Sequence, residues 1–330
     1  MQSRYRWSSI DPQDVQAWAE LTNHLARVDG TEEFFEAEDL AEELENPRMH
    51  PAKDTFAVWD GESMIGFGTV RVPGSVDHHG GKVDVSLDGG VHAEHRGEGL
   101  GSALMEKLEA RGRVLCAERH PETPFYFSTG GGLEDSSARR FHLSRGDSVA
   151  RYFNLLGREL SAQDSADTIL QGRGIPDGIE IRPPGGQDEA AVRAAHAAAF
   201  VDHWGSAPPS ETGWHQNWIA RSNRHAVSRI AVDESGTLAE PGTVVAYSLC
   251  GQWVDRELYV NLIGTVPDAR GHGLGSAVLA HTIEAAARSG EFDVIELDVD
   301  SESLTGATRL YERLGFTLKL TQAAMRRTVD

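Results

Sequence analysis

Along the chain the period of the apolar positions changes repeatedly, and each change marks an element. Residues 56–66 read as a strand, a tight turn and a second strand, because Asp60-Gly61 supplies the backbone freedom a short hairpin needs. Residues 229–233 and 243–247 read as a similar strand pair joined by a longer loop. Ile179-Glu180-Ile181-Arg182-Pro183 alternates with period two, and the β-prone run Tyr259-Val260-Asn261-Leu262-Ile263-Gly264-Thr265-Val266 predicts another strand. Behind that run Leu274, Ala277, Val278 and Ile283 punctuate a segment of good helix formers that ends near Gly290. Between 161 and 178, polar residues, glycines and Pro176 interrupt every period, which places a boundary near 170 and divides the chain into 1–170 and 171–330.

The two segments repeat each other. Arg96-Gly97-Glu98-Gly99-Leu100-Gly101-Ser102-Ala103 reappears as Arg270-Gly271-His272-Gly273-Leu274-Gly275-Ser276-Ala277, identical at seven of eight positions with an offset of 174. That offset is a domain length, and the same order of elements surrounds both copies. A looser repeat follows downstream, where residues 138–146 correspond to residues 307–315. At 330 residues the chain exceeds one ordinary core of about 100–200 residues, so two domains are expected on length as well.

Composition narrows the class. Hydrophobic residues at 39% with charged residues at 25% indicate a globular chain rather than a disordered one. A formal charge of −20 argues against a nucleic-acid partner, which needs a basic footprint. No apolar run approaches the length of a membrane span or of a signal peptide, so no membrane partner and a cytoplasmic location are expected. Cys116 and Cys250 fall in different halves and outside any paired motif, which predicts buried reduced thiols. The oligomeric state is not legible.

The repeated glycine motif carries the chemistry. In both copies it lies between a strand pattern and a helix pattern, where the unpaired amides of the helix start face outward and glycines admit close approach by an anion. A pyrophosphate suits such a turn. The spacing G-x-G-x-G-S lacks the lysine of a Walker loop and departs from the G-x-G-x-x-G dinucleotide fingerprint.

What remains, R-x-x-G-x-G between strand and helix, resembles the acetyl-CoA pyrophosphate loop of the GNAT superfamily. Leu310-Tyr311-Glu312-Arg313-Leu314-Gly315-Phe316 resembles that superfamily's L-Y-x-x-x-G-F segment, and the tandem arrangement is similar to that of its mycothiol synthase branch. The resemblance implies a mixed α/β (α+β) fold of two GNAT-like domains, each a twisted mixed sheet flanked by helices. It implies an N-acetyltransferase that moves an acetyl group from acetyl-CoA to the primary amine of a small molecule. In the C-terminal copy acetyl-CoA is expected at Ile263, Gly264, Thr265, Arg270, Gly271, His272, Gly273, Leu274, Gly275 and Ser276. Ser303 or Thr305 is expected where relatives often carry an asparagine for the pantetheine arm. In the N-terminal copy the corresponding set is Gly90, Val91, Arg96, Gly97, Glu98, Gly99, Leu100, Gly101 and Ser102.

Tyr311 takes the place of the family's general acid, since the departing thiolate needs a proton and a phenol can supply it. Glu257, at the start of the strand before the loop, is the candidate base. Asp202, His203 and Trp204, with Trp214 and Trp218, fall where these folds build the acceptor pocket. His78, His79, His92 and His95 have no partners at ligand spacing; they are expected to be solvated loop residues, and no metal is expected. In the N-terminal copy His142 stands at the place of Tyr311 and Asp147 at that of Phe316, so that domain is expected to bind CoA without acetyl transfer. The competing class is a non-catalytic acyl-CoA-binding or regulatory protein.

Overall fold

The computed structural model describes residues 4–77, 80–201, 203–208, 210–302 and 307–329. Two compact units form, Met1–Phe153 with Thr321–Asp330, and Asn154–Leu320. The expected seam near 170 lies where the hydrophobic period lapses, whereas this division follows strand pairing. It comes earlier in the chain and returns the last residues to the first unit.

In the first unit β1 (Arg6–Ser8) precedes helices α1 (Val15–Asp29), α2 (Ala37–Leu44) and α3 (Pro51–Asp54). The strands β2 (Thr55–Asp60), β3 (Ser63–Arg71) and β4 (Val83–Val91) follow. Then come α4 (Leu100–Arg119), β5 (Phe125–Gly130), α5 (Ser137–Ser144) and β6 (Ser148–Glu159). Strands β1 to β4 run antiparallel in order, and the expected hairpin forms about Gly61, whose φ is 61°. β5 joins β4 in parallel. Its other edge is taken by Ala324–Val329 of the final strand, antiparallel. α4 covers one face through Leu108 and Leu115 against Val83, Val85 and Phe127; α1 and α2 cover the other through Trp18, Leu21 and Leu40 against Trp59 and Phe67.

The second unit repeats the plan. It holds α6 (Ala166–Leu170), β7 (Ile179–Arg182), α7 (Glu189–Ala199), α8 (Glu211–Ile219), β8 (Arg229–Asp233) and β9 (Thr243–Gly251). β10 (Glu257–Thr265), α9 (Leu274–Ser289), β11 (Val294–Asp300), α10 (Ala307–Arg313) and β12 (Thr317–Val329) complete the chain. β7 to β10 are antiparallel neighbours and β11 is parallel to β10. β6 lies beside β11. The strand after α5 therefore completes the second unit, and the strand after α10 completes the first. α9 buries Leu279 and Ile283 against Leu258, Val260, Ile295 and Leu297, ending at Gly290 in the left-handed region; α7 and α8 cover the opposite face. Cys116 and Cys250 are buried free thiols.

Candidate active site

Two local features create the site in each unit. The first is the turn. Val266 leads into a short 3-10 turn over Pro267–Ala269, Arg270 is extended, and Gly271 and Gly273 take φ of 83° and 79° before α9 begins. A side chain at either glycine would be strained, and the space a Cβ would enter is open. No side chain caps α9, and its first intrahelical bond runs from Ala277 N to Gly273 O at 3.0 Å. The amides before Ala277 have no acceptor inside the helix and form an anion-seeking cluster at the positive end of its dipole. The first unit has the same geometry: Arg96 is extended, and Gly97 and Gly99 both have φ of 84° ahead of α4.

The second feature is a divergence of strands. β10 and β11 pair only over Glu257–Tyr259 with Val294–Glu296. Beyond those residues the parallel pairing stops, and a wedge opens toward the glycine turn. A bulge at Asn261, between Val260 and Leu262, shifts the register of β10 on β9 at the same level. Asn261 Oδ1 is buried there with no hydrogen-bond partner among the described residues. In the first unit β4 and β5 pair over Val83–Ser86 and Phe125–Ser128.

α10 is tied to the glycine turn by Leu310: a Cβ at Gly275 would stand 3.7 Å from Leu310 Cδ1 and 3.2 Å from Thr265 Oγ1. The next residue, Tyr311, is buried and meets Phe316 edge-on with centroids 6.0 Å apart. Burial pushes its phenol up to about 12. In the first unit a Cβ at Gly101 would stand 3.6 Å from the ring of Phe141, as one at Gly275 would meet Leu310. His142 then occupies the place of Tyr311, with Nδ1 donating to Asp147 at 2.9 Å and Nε2 3.4 Å from Thr129 Oγ1. Arg327 Nε stands 3.0 Å from the other oxygen of Asp147.

This order of parts decides the family. The sequence profile of the Acetyltransferase (GNAT) family matches residues 16–121 and again 190–316. The chain belongs to that family. It is similar to a mycothiol acetyltransferase of Thermobispora bispora, 28% identical over 318 residues that cover 93% of each chain. A mycothiol acetyltransferase of Streptomyces griseus is 31% identical over 69% of this chain and 66% of its own. Among solved structures, a GCN5-related N-acetyltransferase from Sphaerobacter thermophilus shares the fold with a TM-score of 0.76 at 23% identity, over 99% of this chain and 96% of that one. A tandem GNAT protein from the clavulanic acid biosynthesis pathway aligns with a TM-score of 0.69 at 16% identity, over 98% of both chains. The protein is an N-acetyltransferase of tandem GNAT architecture. Members of this family use acetyl-CoA as co-substrate, and among the described residues no histidine, cysteine or carboxylate cluster could hold a metal ion. No described helix is long and apolar enough to cross a membrane.

The GNAT frame locates the remaining candidates. Ile263, Gly264 and Thr265 end β10, and Arg270 to Ser276 form the turn and first turn of α9; Gly90, Val91 and Arg96 to Ser102 do the same in the first unit. Glu257 sits where β10 and β11 are still paired, at the closed end of the wedge. Asp202, Ser303, Thr305, His78 and His79 lie outside the described residues. The His203 ring lies tilted against Phe200 with centroids 5.0 Å apart, and its Nδ1 is 3.0 Å from the carbonyl of Trp204.

Two expectations change. Trp214 and Trp218 are core residues, 6% and 8% exposed, because α8 turns both indoles onto the face formed by Ile230, Val232 and Tyr247. His92 and His95 are not solvated loop residues. His92 stacks on His24 at 4.1 Å, and His95 packs edge-on to Tyr5, whose hydroxyl donates to Glu98.

Two features beside the glycine turn escaped the sequence. Tyr247 of β9 lies directly under Gly264, which leaves no room there for a Cβ, and its hydroxyl shares a hydrogen bond of 2.8 Å with His196 Nδ1. Burial and the neighbouring His203 hold His196 down to about 4, so the ring is neutral. The loop arginines also differ. Arg96 is clamped by Asp29 through two bonds of 2.7 and 2.8 Å, whereas exposed Arg270 reaches the carbonyl oxygens of Ala199 at 2.9 Å and Thr265 at 3.4 Å.

Proposed function

We propose that the second unit carries the acetyl transfer, from acetyl-CoA to the primary amine of a small molecule, with Tyr311 as general acid. The observation that carries this reading is the coincidence, within one unit, of three parts. They are an uncapped helix start behind two left-handed glycines, a wedge between β10 and β11, and a buried phenol on the helix packed against that start.

The pyrophosphate is held by the backbone amides of residues 271–276, with Arg270 at the rim. Ile263, Gly264 and Thr265 line the strand along which the pantetheine arm enters the wedge. When the amine attacks the thioester carbon, the C–N bond forms, the C–S bond breaks and its electron pair stays on sulfur. Tyr311 then gives its proton to the thiolate. The burial that raises its phenol also disfavours a thiolate beside it, so donor and acceptor remain matched in a way that bulk pKa values of ~10 and ~8.5 do not convey. His203 and Trp204 belong to the acceptor side, with Asp202 between β7 and the β8–β9 pair in sequence. The relatives' name, mycothiol acetyltransferase, points to a thiol-bearing amine as the first acceptor to try.

The first unit binds CoA or a relative more weakly and transfers no acetyl group. Its helix start has the same form, but Asp29 neutralises Arg96 and Glu98 adds a negative charge in the turn where the second unit has His272. Its proton-donor position is closed by the His142–Asp147 pair.

The test is thiol release from acetyl-CoA by the full chain against small primary amines, aminoglycosides and cysteinyl compounds. One acceptor that gives a stoichiometric amide supports the reading. Acetyl-CoA binding without turnover on any amine overturns it in favour of a binding protein.

A further inference from the structure

The wedge contains a carboxylate that the sequence did not point to. Tyr259 on β10 faces, two residues beyond its register partner Glu296, the side chain of Asp298 on β11, and its hydroxyl donates to Asp298 Oδ2 at 2.7 Å. Pairing between the strands ends at Tyr259 and Glu296, so Asp298 lies in the opened part of the wedge, unlike Glu257. Leu258, Val260, Leu297 and Val299 turn to the α9 side. By alternation Tyr259 and Asp298 face the side covered by α7 and α8.

The first unit holds a carboxylate–hydroxyl pair across its own parallel strands, at other positions: its paired stretch ends at Ser86 and Ser128, where that of the second unit ends at Tyr259 and Glu296. There Asp84 on β4 accepts from Ser128 on β5, again two residues beyond the register partner, and Arg326 offsets its charge. Asp298 has no such cation among the described residues. The charged groups facing it are Glu296, itself paired with Lys319 at 2.5 Å, and the phenol of Tyr259. Nearby, Trp253 lies edge-on to Tyr259 with centroids 6.1 Å apart. Trp253 and Asn261 both crowd the same point above Gly251, at 2.8 and 2.7 Å from where its Cβ would be. A carboxylate with no cation beside it among the described residues, the amide of Asn261 and the indole of Trp253 thus stand around Tyr259 and Gly251. That set suits an ammonium group, which brings the missing positive charge and donates to both oxygens.

We propose that Asp298, oriented by Tyr259, is the general base of the acetyl transfer and the anchor for a cationic primary amine. The inference rests on the acetyl-transfer reading of the same site. Asp298 takes one proton from the incoming ammonium, which frees the nitrogen lone pair for the thioester carbon. After the C–S bond breaks, the second nitrogen proton leaves through solvent and Tyr311, which has protonated the sulfur, recovers its own. The Asp298 side chain is exposed at its tip, and its carboxyl is held above its ordinary value: partial desolvation raises it, the Tyr259 hydroxyl pulls it partly back and Glu296 pushes it up. A carboxylate held above its ordinary value is a stronger base than a solvated one.

The experiment uses the full chain, acetyl-CoA and the best amine from the panel, with kcat/KM measured from pH 6 to about 10. Asp298→Asn is expected to lose about 10²-fold or more in kcat/KM near neutral pH, and to regain activity as rising pH deprotonates the amine itself. Its acetyl-CoA affinity stays that of the wild type, and Asp298→Glu keeps most of the activity. With hydroxylamine, already neutral at pH 7, the Asp298→Asn defect shrinks. Wild-type kcat/KM in Asp298→Asn overturns the proposal. So does a loss that is equal for hydroxylamine and the alkylamine, or one accompanied by lost acetyl-CoA binding, since either marks a structural role. If the wild type itself acetylates no amine, the acetyl-transfer reading falls and this inference with it.

Discussion

His142 donates through Nδ1 to Asp147 at 2.9 Å, and these two residues stand where the second unit has Tyr311 and Phe316. An edge-on aromatic pair in one unit is an ion-paired polar cluster in the other. Both His142 and Asp147 are 6% exposed, and Arg327, from the strand that closes the first sheet, completes the cluster. Its role is to hold α5 against that strand. His142→Ala should therefore lower stability by about 1–3 kcal/mol, since Asp147 loses a buried donor, while acetyl transfer stays at the wild-type level. Thermal unfolding beside the thiol-release assay checks both; a large loss of turnover with circular dichroism unchanged would make the first unit a catalyst in its own right.

Tyr311→Phe removes the proton donor and leaves the packing against Phe316 in place. kcat should fall by about 10²–10⁴ with acetyl-CoA affinity nearly unchanged. Because the phenol is pushed up to about 12, it stays protonated across the working range, and no falling alkaline limb belonging to Tyr311 should appear below about pH 11. An alkaline limb near pH 9 that vanishes in Tyr311→Phe would contradict the assignment.

Gly273 has φ of 79° and open space where a Cβ would stand, so Gly273→Val adds about 1–2 kcal/mol of backbone strain and fills the approach to the helix amides. In the full chain acetyl transfer should vanish, together with the tighter of two acetyl-CoA sites in calorimetry. Gly99→Val should remove the weaker site and spare transfer. The full chain is required because residues 321–330 belong to the first unit and 154–159 to the second. Undiminished tight binding in Gly273→Val would rule out the loop as the pyrophosphate site.

Asp233 is fully buried at the end of β8 and organises the loop to β9, accepting from the amides of Ser235, Gly236, Leu238 and Ala239. Burial alone would raise its carboxyl; the amides and the Ser235 hydroxyl outweigh it and hold the group well below the usual carboxylate range. A depressed folded pKa means the stabilisation is complete above the unfolded value of about 4 and is lost as pH falls through the folded one. Asp233→Ala should lower the melting temperature at pH 7, with the difference from wild type narrowing toward pH 2. A difference independent of pH would show that the charge contributes nothing.

What the sequence by itself determined is local. The repeat, the strand–turn–helix order and the glycines at 97, 99, 271 and 273 could be read directly, because the conformation of that turn depends on residues within a few positions of one another and on glycine's tolerance of positive φ. The block from Leu310 to Phe316 was legible for the same reason. Tertiary structure decided everything that depends on register. Tyr247 and His196 are 51 residues apart and Tyr259 and Asp298 39 apart, and a bulge at Asn261 shifts β10 between them, so no spacing along the chain announces either pair. Trp214 and Trp218 illustrate the opposite error, since their placement between elements suggested a pocket while helix phase turned them into the core. The closing strand of each sheet comes from beyond the boundary that hydrophobic period suggested. Strand partners are selected by edge hydrogen bonds and facing side chains, which one strand's own alternation cannot specify.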